Sequence, residues 1–327
     1  MGPCPLWTPP GLCPWSALVY HLSTLLAESR AQGQLYADDI QSYIHCRPAN
    51  AALAVGEMGR ALVRLEAWMS SNRLHLNSAK TKFMWLGTRQ QLVKLNLDDL
   101  AIKFPTYNFS ATARDLGILL DQELTFAPHL HRLSRDCYYQ LRQLRTVARS
   151  LTASAATTLV HAFITSRLDH CLTLYSGLPS SRLSCLDRVL RAAARLIGQI
   201  PKFDHVTRYM LEVLHWLPVR QRIEYRVVSL VWRCHLGLAP AYLIDLCQPV
   251  SGVQGSRSLR SAERGVVVVP FARTATMQNR AFSVVGPRVW NSLPRELRLF
   301  PRTCTDTFYG HLKTYLFGRT GVGSASE

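Results

Sequence analysis

Asp38 and Asp39 stand side by side between two short runs with strand character, Gln34-Leu35-Tyr36 and Ile40 to His45. Adjacent side chains on an extended strand point to opposite faces, so only a tight turn brings both carboxylates to one place. The segment is therefore expected to be a β-hairpin with acids at its tip. A carboxylate pair in that setting has a chemical meaning. Hard cations such as Mg2+ are held by carboxylates together with substrate phosphate oxygens, and a two-metal centre activates an attacking hydroxyl while stabilising a leaving oxygen. Asp38 is the candidate metal ligand and Asp39 the secondary one, with Mg2+ or Mn2+ as the ion. The competing explanation is conformational, because short acids favour tight turns without binding anything.

Before the hairpin, Pro3, Pro5, Pro9, Pro10, Gly11 and Pro14 interrupt any regular element, and Ala17 to Ala27 has the length of a short helix. Residues 1–33 are read as a poorly ordered lead-in. After the hairpin, Val55, Met58, Leu62, Leu65 and Met69 recur at spacings of three and four, the apolar stripe of an amphipathic helix, with Asn72 as its stop. Leu74 to Leu76, Phe83 to Leu86 and Leu116 to Leu120 read as strands, which makes residues 34–125 a compact α+β unit.

From residue 126 the pattern turns helical. Leu133 to Arg149 carries Leu133, Cys137, Leu141, Leu144 and Ala148 on one face; Arg182 to Ile197 and Val219 to His235 repeat the arrangement, and Ala155 to Arg167 is a fourth candidate. Pro249 and the Gly/Ser-rich stretch Ser251 to Ser261 mark a linker that closes a helical domain at 126–250. Residues 251–317 then form a C-terminal region with a short strand at Val266 to Val269 and an aromatic stretch from Phe308 to Phe317, and 318–327 is expected to be a disordered tail.

Charge supplies the second constraint. With 38 Lys and Arg against 21 Asp and Glu, the chain carries a net +17, a field that attracts polyanions, nucleic acid foremost among them. Arginine makes up 32 of those basic residues, and its planar fork suits phosphate and base contact. A GC-rich gene would inflate arginine too, but here the arginines are patterned. At about 100° per residue, Arg135, Arg142, Arg145 and Arg149 share a stripe rotated away from the leucine face, and Arg188, Arg191 and Arg195 repeat it on the next long helix. Like charges so close repel, which a helix tolerates better with a polyanion alongside. A solvated face that merely keeps the domain soluble is the alternative. Tyr138 and Tyr139 beside the stripe suit either stacking on bases or half-burial in the core.

Nine cysteines occur with no C-x-x-C pair and no zinc-like spacing, so they read as small core residues of a reducing compartment. His129-x-His131 has no third ligand at a suitable spacing and reads as a coincidence of a helix start, and Trp216 and Trp290 read as core anchors. No signal peptide and no membrane-spanning run is visible, so the chain is expected in the cytoplasm or nucleus.

Several strings together carry a resemblance. Leu35-Tyr36-Ala37-Asp38-Asp39 matches an F/Y-A-D-D motif. Leu65 and Trp68, followed by Asn72, Leu74 and Asn77-x-x-Lys80-Thr81, match a second block, and Leu116-Gly117-Ile118-x-Leu120-Asp121 a third. Further on stand Leu168-Asp169-x-Cys171, Ala192-Ala193 with Arg195-Leu196-Ile197, Leu214-His215-Trp216-Leu217-Pro218-Val219, Arg257-Ser258-Leu259-Arg260, and Gly286-Pro287-Arg288-Val289-Trp290-Asn291-Ser292-Leu293-Pro294. In this order, over residues 35–317, the chain resembles the reverse transcriptase of LINE-type non-LTR retrotransposons of the jockey and chicken-repeat kind.

The resemblance implies an α+β fold with a partial polymerase palm of short antiparallel strands and a helix, followed by a mainly α-helical thumb and a C-terminal region. It implies RNA and DNA as partners in a template–primer duplex. Asp38 and Asp39 would hold the metal, Tyr36 would lie against nucleic acid, and Leu116 and Gly117 would lie against the primer end, where glycine allows close approach. Lys80 would stand near the incoming nucleotide as a proton donor to pyrophosphate, or else simply cap a loop.

The departures are as informative. The family places another metal-binding Asp upstream, whereas Glu28 is the sole acid among the 37 residues before Asp38, and a P-Q-G-S-x-x-x-P block is echoed only in Pro10-Gly11 and Pro14. The expectation is a chain truncated before the first palm Asp, silent as a polymerase by itself but able to bind nucleic acid. The alternatives are an active RNA-directed DNA polymerase completed by another chain or a longer product, and a non-enzymatic nucleic-acid-binding or interaction protein.

Overall fold

Tyr36 pairs with Asp39 as the last rung of an antiparallel hairpin between β1 (Gln32–Tyr36) and β2 (Asp39–Tyr43), with Leu35 opposite Ile40 and Gln34 opposite Gln41. The chain reverses over two positions there, and Ala37 takes a left-handed φ of 52°, as the tightest hairpin connections require. This is a computed structural model, and it describes residues 31–37, 39–77, 79–105, 109–250, 264–272 and 278–320. Asp38, residues 1–30 of the expected lead-in 1–33, the linker and Arg257 to Arg260 string at 251–263, and residues 321–327 of the expected tail 318–327 lie outside the described residues, whereas Gln32 and Gly33 belong to β1 and Gly318 to the last helix. Two compact units result, one of Met1–Asp115 with Asp121–Glu123, the other of Leu116–Leu120 with Leu124–Glu327.

In the first unit α1 (Ala51–Ser71) buries Ala51, Ala54, Val55 and Leu65, with Met58, Leu62 and Met69 half-buried. Asn72 stops it as expected: its amide side chain donates to the Trp68 carbonyl at 2.8 Å. Ala51 and Val55 meet Leu100, and Trp85 stacks on Phe109 with ring centroids 5.7 Å apart. Two expected strands are absent. Leu74 to Leu76 is irregular, and Phe83 to Leu86 yields a single bridge from Phe83 to Phe109. An alternating apolar run becomes a strand only where a neighbouring strand accepts its hydrogen bonds. β3 (Thr112–Asp115) and β4 (Ile118–Asp121) follow, with the chain passing from one unit to the other at the turn between them. The strand expected from Leu116 begins at Ile118, because Leu116 and Gly117 have φ of +43° and +88° and form that turn.

The second unit is helical. α2 (Ala127–Val147) ends two residues before the expected Arg149 and continues as a 3-10 turn, Ala148–Ser150. α3 (Ala153–Val160) runs through a π-helical turn, His161–Thr165, into a last helical turn, Ser166–Asp169. α4 (Ser180–Ile197) and α5 (Val219–His235) lie where the periodicity placed them. Cys137, Leu141 and Leu144 of α2 share one apolar core with Leu186, Leu190 and Ala193 of α4 and with Ile223 and Val227 of α5.

The other face of α5 builds a second core. Val228, Val231 and Trp232 meet Trp290 of α6 (Phe282–Asn291) and Phe308, Leu312 and Leu316 of α7 (Thr305–Gly318). The expected C-terminal region thus packs on a helix of the expected thumb, and both fall within one unit. Gly286 permits the approach, since a Cβ there would sit 3.2 Å from a Val231 methyl and 3.1 Å from the Phe282 ring. The expected strand at Val266 to Val269 reduces to one bridge between Pro249 and Val267. Its other edge is taken by a side chain: Asn291 accepts from the Val267 N–H at 2.9 Å and donates to its carbonyl at 2.8 Å. The Trp290 indole N–H donates to the Gly265 carbonyl at 2.9 Å.

Candidate nucleic-acid interface

The acidic hairpin lies in the first unit. Asp39 and Tyr36 are both exposed, with Tyr36 at 64%. A carboxylate that sequence reasoning passed over stands near them. Asp115, at the end of β3, accepts a 2.7 Å hydrogen bond from the Gln41 amide, and its pKa is raised, chiefly by burial, with the charge of Asp39 adding to the rise. Its signal in the sequence was only its place before a turn. Among the described residues no three His, Cys, Asp or Glu side chains converge as metal ligands. Asp39 and Asp115 alone do not fit a divalent-metal site, which takes several oxygen ligands.

Lys80 is exposed. Its backbone N–H is held by Asn77, by the side-chain oxygen at 3.2 Å and by the carbonyl at 3.1 Å, and the Thr81 hydroxyl donates to the same carbonyl at 3.0 Å. Asn77 is thus a turn-former in the local sense of that residue type.

Leu116 and Gly117 belong to the second unit, where two histidines clamp their turn. The His170 ring donates from Nε2 to the Leu116 carbonyl at 3.1 Å, and the Leu119 N–H donates to Nδ1 of His129 at 3.2 Å. A left-handed leucine is strained and persists only where its surroundings over-determine it. His129 is buried, and its pKa is lowered, first by that burial and then by the positive fields of His170 and Arg132. It therefore stays neutral and keeps the lone pair that Leu119 needs. His129 thus has a local role in holding this turn, and its place on the apolar side of α2 was the available signal.

The arginine face of α2 is exposed along its length. Arg135, Arg142 and Arg145 all face solvent, as does Arg149 in the turn that follows the helix. Arg135 shares Asp136 with Arg132 at 3.8 and 3.9 Å, an exposed contact of little energetic value. Among the described residues no carboxylate lies within 4.0 Å of Arg142, Arg145 or Arg149. Tyr138 and Tyr139 flank them at 36% and 53% exposure.

The face of α4 differs from its expectation in one member. Arg188 and Arg191 are exposed, whereas Arg195 is half-buried and donates to the Asp204 carbonyl at 3.1 Å, holding a returning loop. Other strings of the resemblance also prove to be scaffold. Asp169 pairs with Arg222 at 2.7 Å and Arg226 at 3.5 Å, and Trp216 is 4% exposed beneath the Arg222 guanidinium. Of the seven described cysteines, Cys137, Cys234 and Cys247 are buried. No described helix is long and apolar enough to cross a membrane.

Comparison with known proteins supports a reverse-transcriptase relationship. Over 113 residues the chain is 34% identical to the probable RNA-directed DNA polymerase from transposon BS of Drosophila melanogaster, a stretch covering 34% of this chain and 12% of that protein. No family model and no solved structure matches.

Proposed function

We propose that this chain is a segment of an RNA-directed DNA polymerase of the LINE, non-LTR retrotransposon kind, whose helical unit holds a template–primer duplex of RNA and DNA against the arginine face of α2. The observation that carries this is the set of exposed guanidinium groups at Arg142, Arg145 and Arg149 with no carboxylate in reach among the described residues. Charges left unpaired on one helix face repel each other and gain by neutralising phosphates. Such contacts follow the backbone and carry no sequence preference. Arg188 and Arg191 are likewise exposed on α4, and Tyr138 and Tyr139 supply apolar area beside the arginine face of α2.

Polymerisation is a separate matter. Asp38 and Asp39 would contribute to a Mg2+ or Mn2+ site only alongside further carboxylates, and among the described residues no three metal-ligating side chains converge. The 327-residue chain by itself is therefore expected to bind a primed RNA template without extending the primer in either ion. Primer extension checks this on a sequencing gel. Extension that disappears in an Asp38→Ala variant would show the acidic turn to be half of a working centre and overturn the binding-only reading.

A further inference from the structure

At the C-terminal ends of α2 and α4 lies a cavity of about 330 Å³. Ala148, Leu151, Ala156, Leu196 and Gly198 give it apolar walls, and Tyr209 supplies the aromatic one. A close approach and two unusual stretches of backbone shape it. Gly198 has no room for a side chain, since a Cβ would lie 2.8 Å from Cε1 and Cζ of Tyr209, so the ring lies directly against the main chain. Gln199, also in the lining, has a left-handed φ of 51°. Tyr209 itself opens a five-residue π-helical turn, Tyr209–Val213. Strained residues and π-turns of this kind concentrate where a protein binds something.

The loop between Gln199 and Tyr209 adds a second aromatic. Phe203 is 89% exposed, with the Lys202 ammonium 5.3 Å from its ring centroid. Arg195 ties that loop to α4 through the Asp204 carbonyl. Arg149, the last member of the basic face of α2, lies in the turn between the lining residues Ala148 and Leu151. A slot whose lining is part apolar and part polar admits a flat ring with hydrogen-bonding edges, while Arg149 in the adjoining turn favours a ring attached to a polyanion. Stacking on aromatic side chains beside a basic track is how unpaired bases are held without sequence preference.

We propose that this slot takes an unpaired nucleobase from a single-stranded extension of the duplex lying along α2, stacked against Tyr209 and capped by Phe203. The inference rests on the reading of the arginine face as a nucleic-acid surface.

The test compares the full chain on a blunt RNA–DNA duplex and on the same duplex with a short single-stranded extension carrying 2-aminopurine. The extended duplex is expected to bind roughly tenfold more tightly, with the probe's fluorescence quenched by stacking. Phe203→Ala, at a residue too exposed to matter for folding, and Tyr209→Ala should lose the preference and bind the extended duplex as they bind the blunt one. Equal affinity of the unaltered chain for both duplexes, or a preference that survives both substitutions, overturns the slot but leaves the arginine face standing. Failure to bind either duplex removes both.

Discussion

Replacing Trp232 with alanine is expected to cost the second unit about 3–5 kcal/mol, a large part of the stability of an ordinary domain. Trp232 is 1% exposed on the outer face of α5. Its ring stacks on Phe308 with centroids 4.0 Å apart and planes 11° from parallel, and Trp290 lies 6.3 Å away. Those two rings are also buried, at 0% and 1%, so the cavity left by an indole has no solvent side into which it can collapse. α6 and α7 would lose their shared anchor on α5. Urea unfolding followed by circular dichroism gives the difference directly. Trp232→Phe should cost much less, because the buried indole N–H finds no hydrogen-bond partner among the described residues and its loss removes an unsatisfied donor. An alanine variant as stable as the parent would mean that the two apolar clusters on α5 do not depend on each other.

Acidification from pH 6.5 towards pH 4 is expected to remove up to about 3 kcal/mol through His235 alone. This imidazole closes α5 and stands edge-on to Trp290 at 4.8 Å. A helix C-terminus ordinarily favours a protonated histidine, but burial wins here and brings the pKa from 6.5 down to about 4, with the positive charge of Arg302 adding to the drop. The unfolded chain thus takes up the proton first. The contribution is complete above pH 6.5, falls as the pH drops, and is exhausted once the folded form is protonated as well, near pH 4. His129 is shifted in the same direction and reinforces the trend. Stability measured across this range for the parent and for His235→Gln isolates the effect: the difference between them should shrink or reverse in acid. Parallel pH profiles would show that His235 does not stay neutral in the folded protein.

The long helices were legible because burial on one side leaves a periodic trace. Val219 to His235 has the same ends in the sequence reading and in α5, and α4 begins two residues before its expected start. α7 left the same trace in Phe308, Leu312 and Leu316, all fully buried, although the stretch reads first as merely aromatic. Strands were less legible, since a strand is defined by its neighbour. The valine run at 266–269 stops at one bridge because the amide of Asn291, 24 residues on, occupies its second edge.

Site residues divided along similar lines. Spacing placed Arg142 and Arg145 on an exposed face, yet it carried no sign that a loop would return to Arg195 or that His129 and His170 would pin the turn at Leu116. The slot beside Tyr209 was invisible for the same reason, being built from the close approach of the Tyr209 ring to Gly198 and the left-handed backbone of Gln199 rather than from a repeating pattern.

The most direct measurement of nucleic-acid binding along α2 is the affinity of the full chain for an RNA–DNA duplex as a function of salt. With several phosphates neutralised, the logarithm of the binding constant should fall steeply and linearly with the logarithm of salt concentration, and replacing Arg142 and Arg145 together with alanine should reduce that slope by about two. A flat response, or a steep one unchanged in the double variant, would mean that the arginine face of α2 is only a solvated surface.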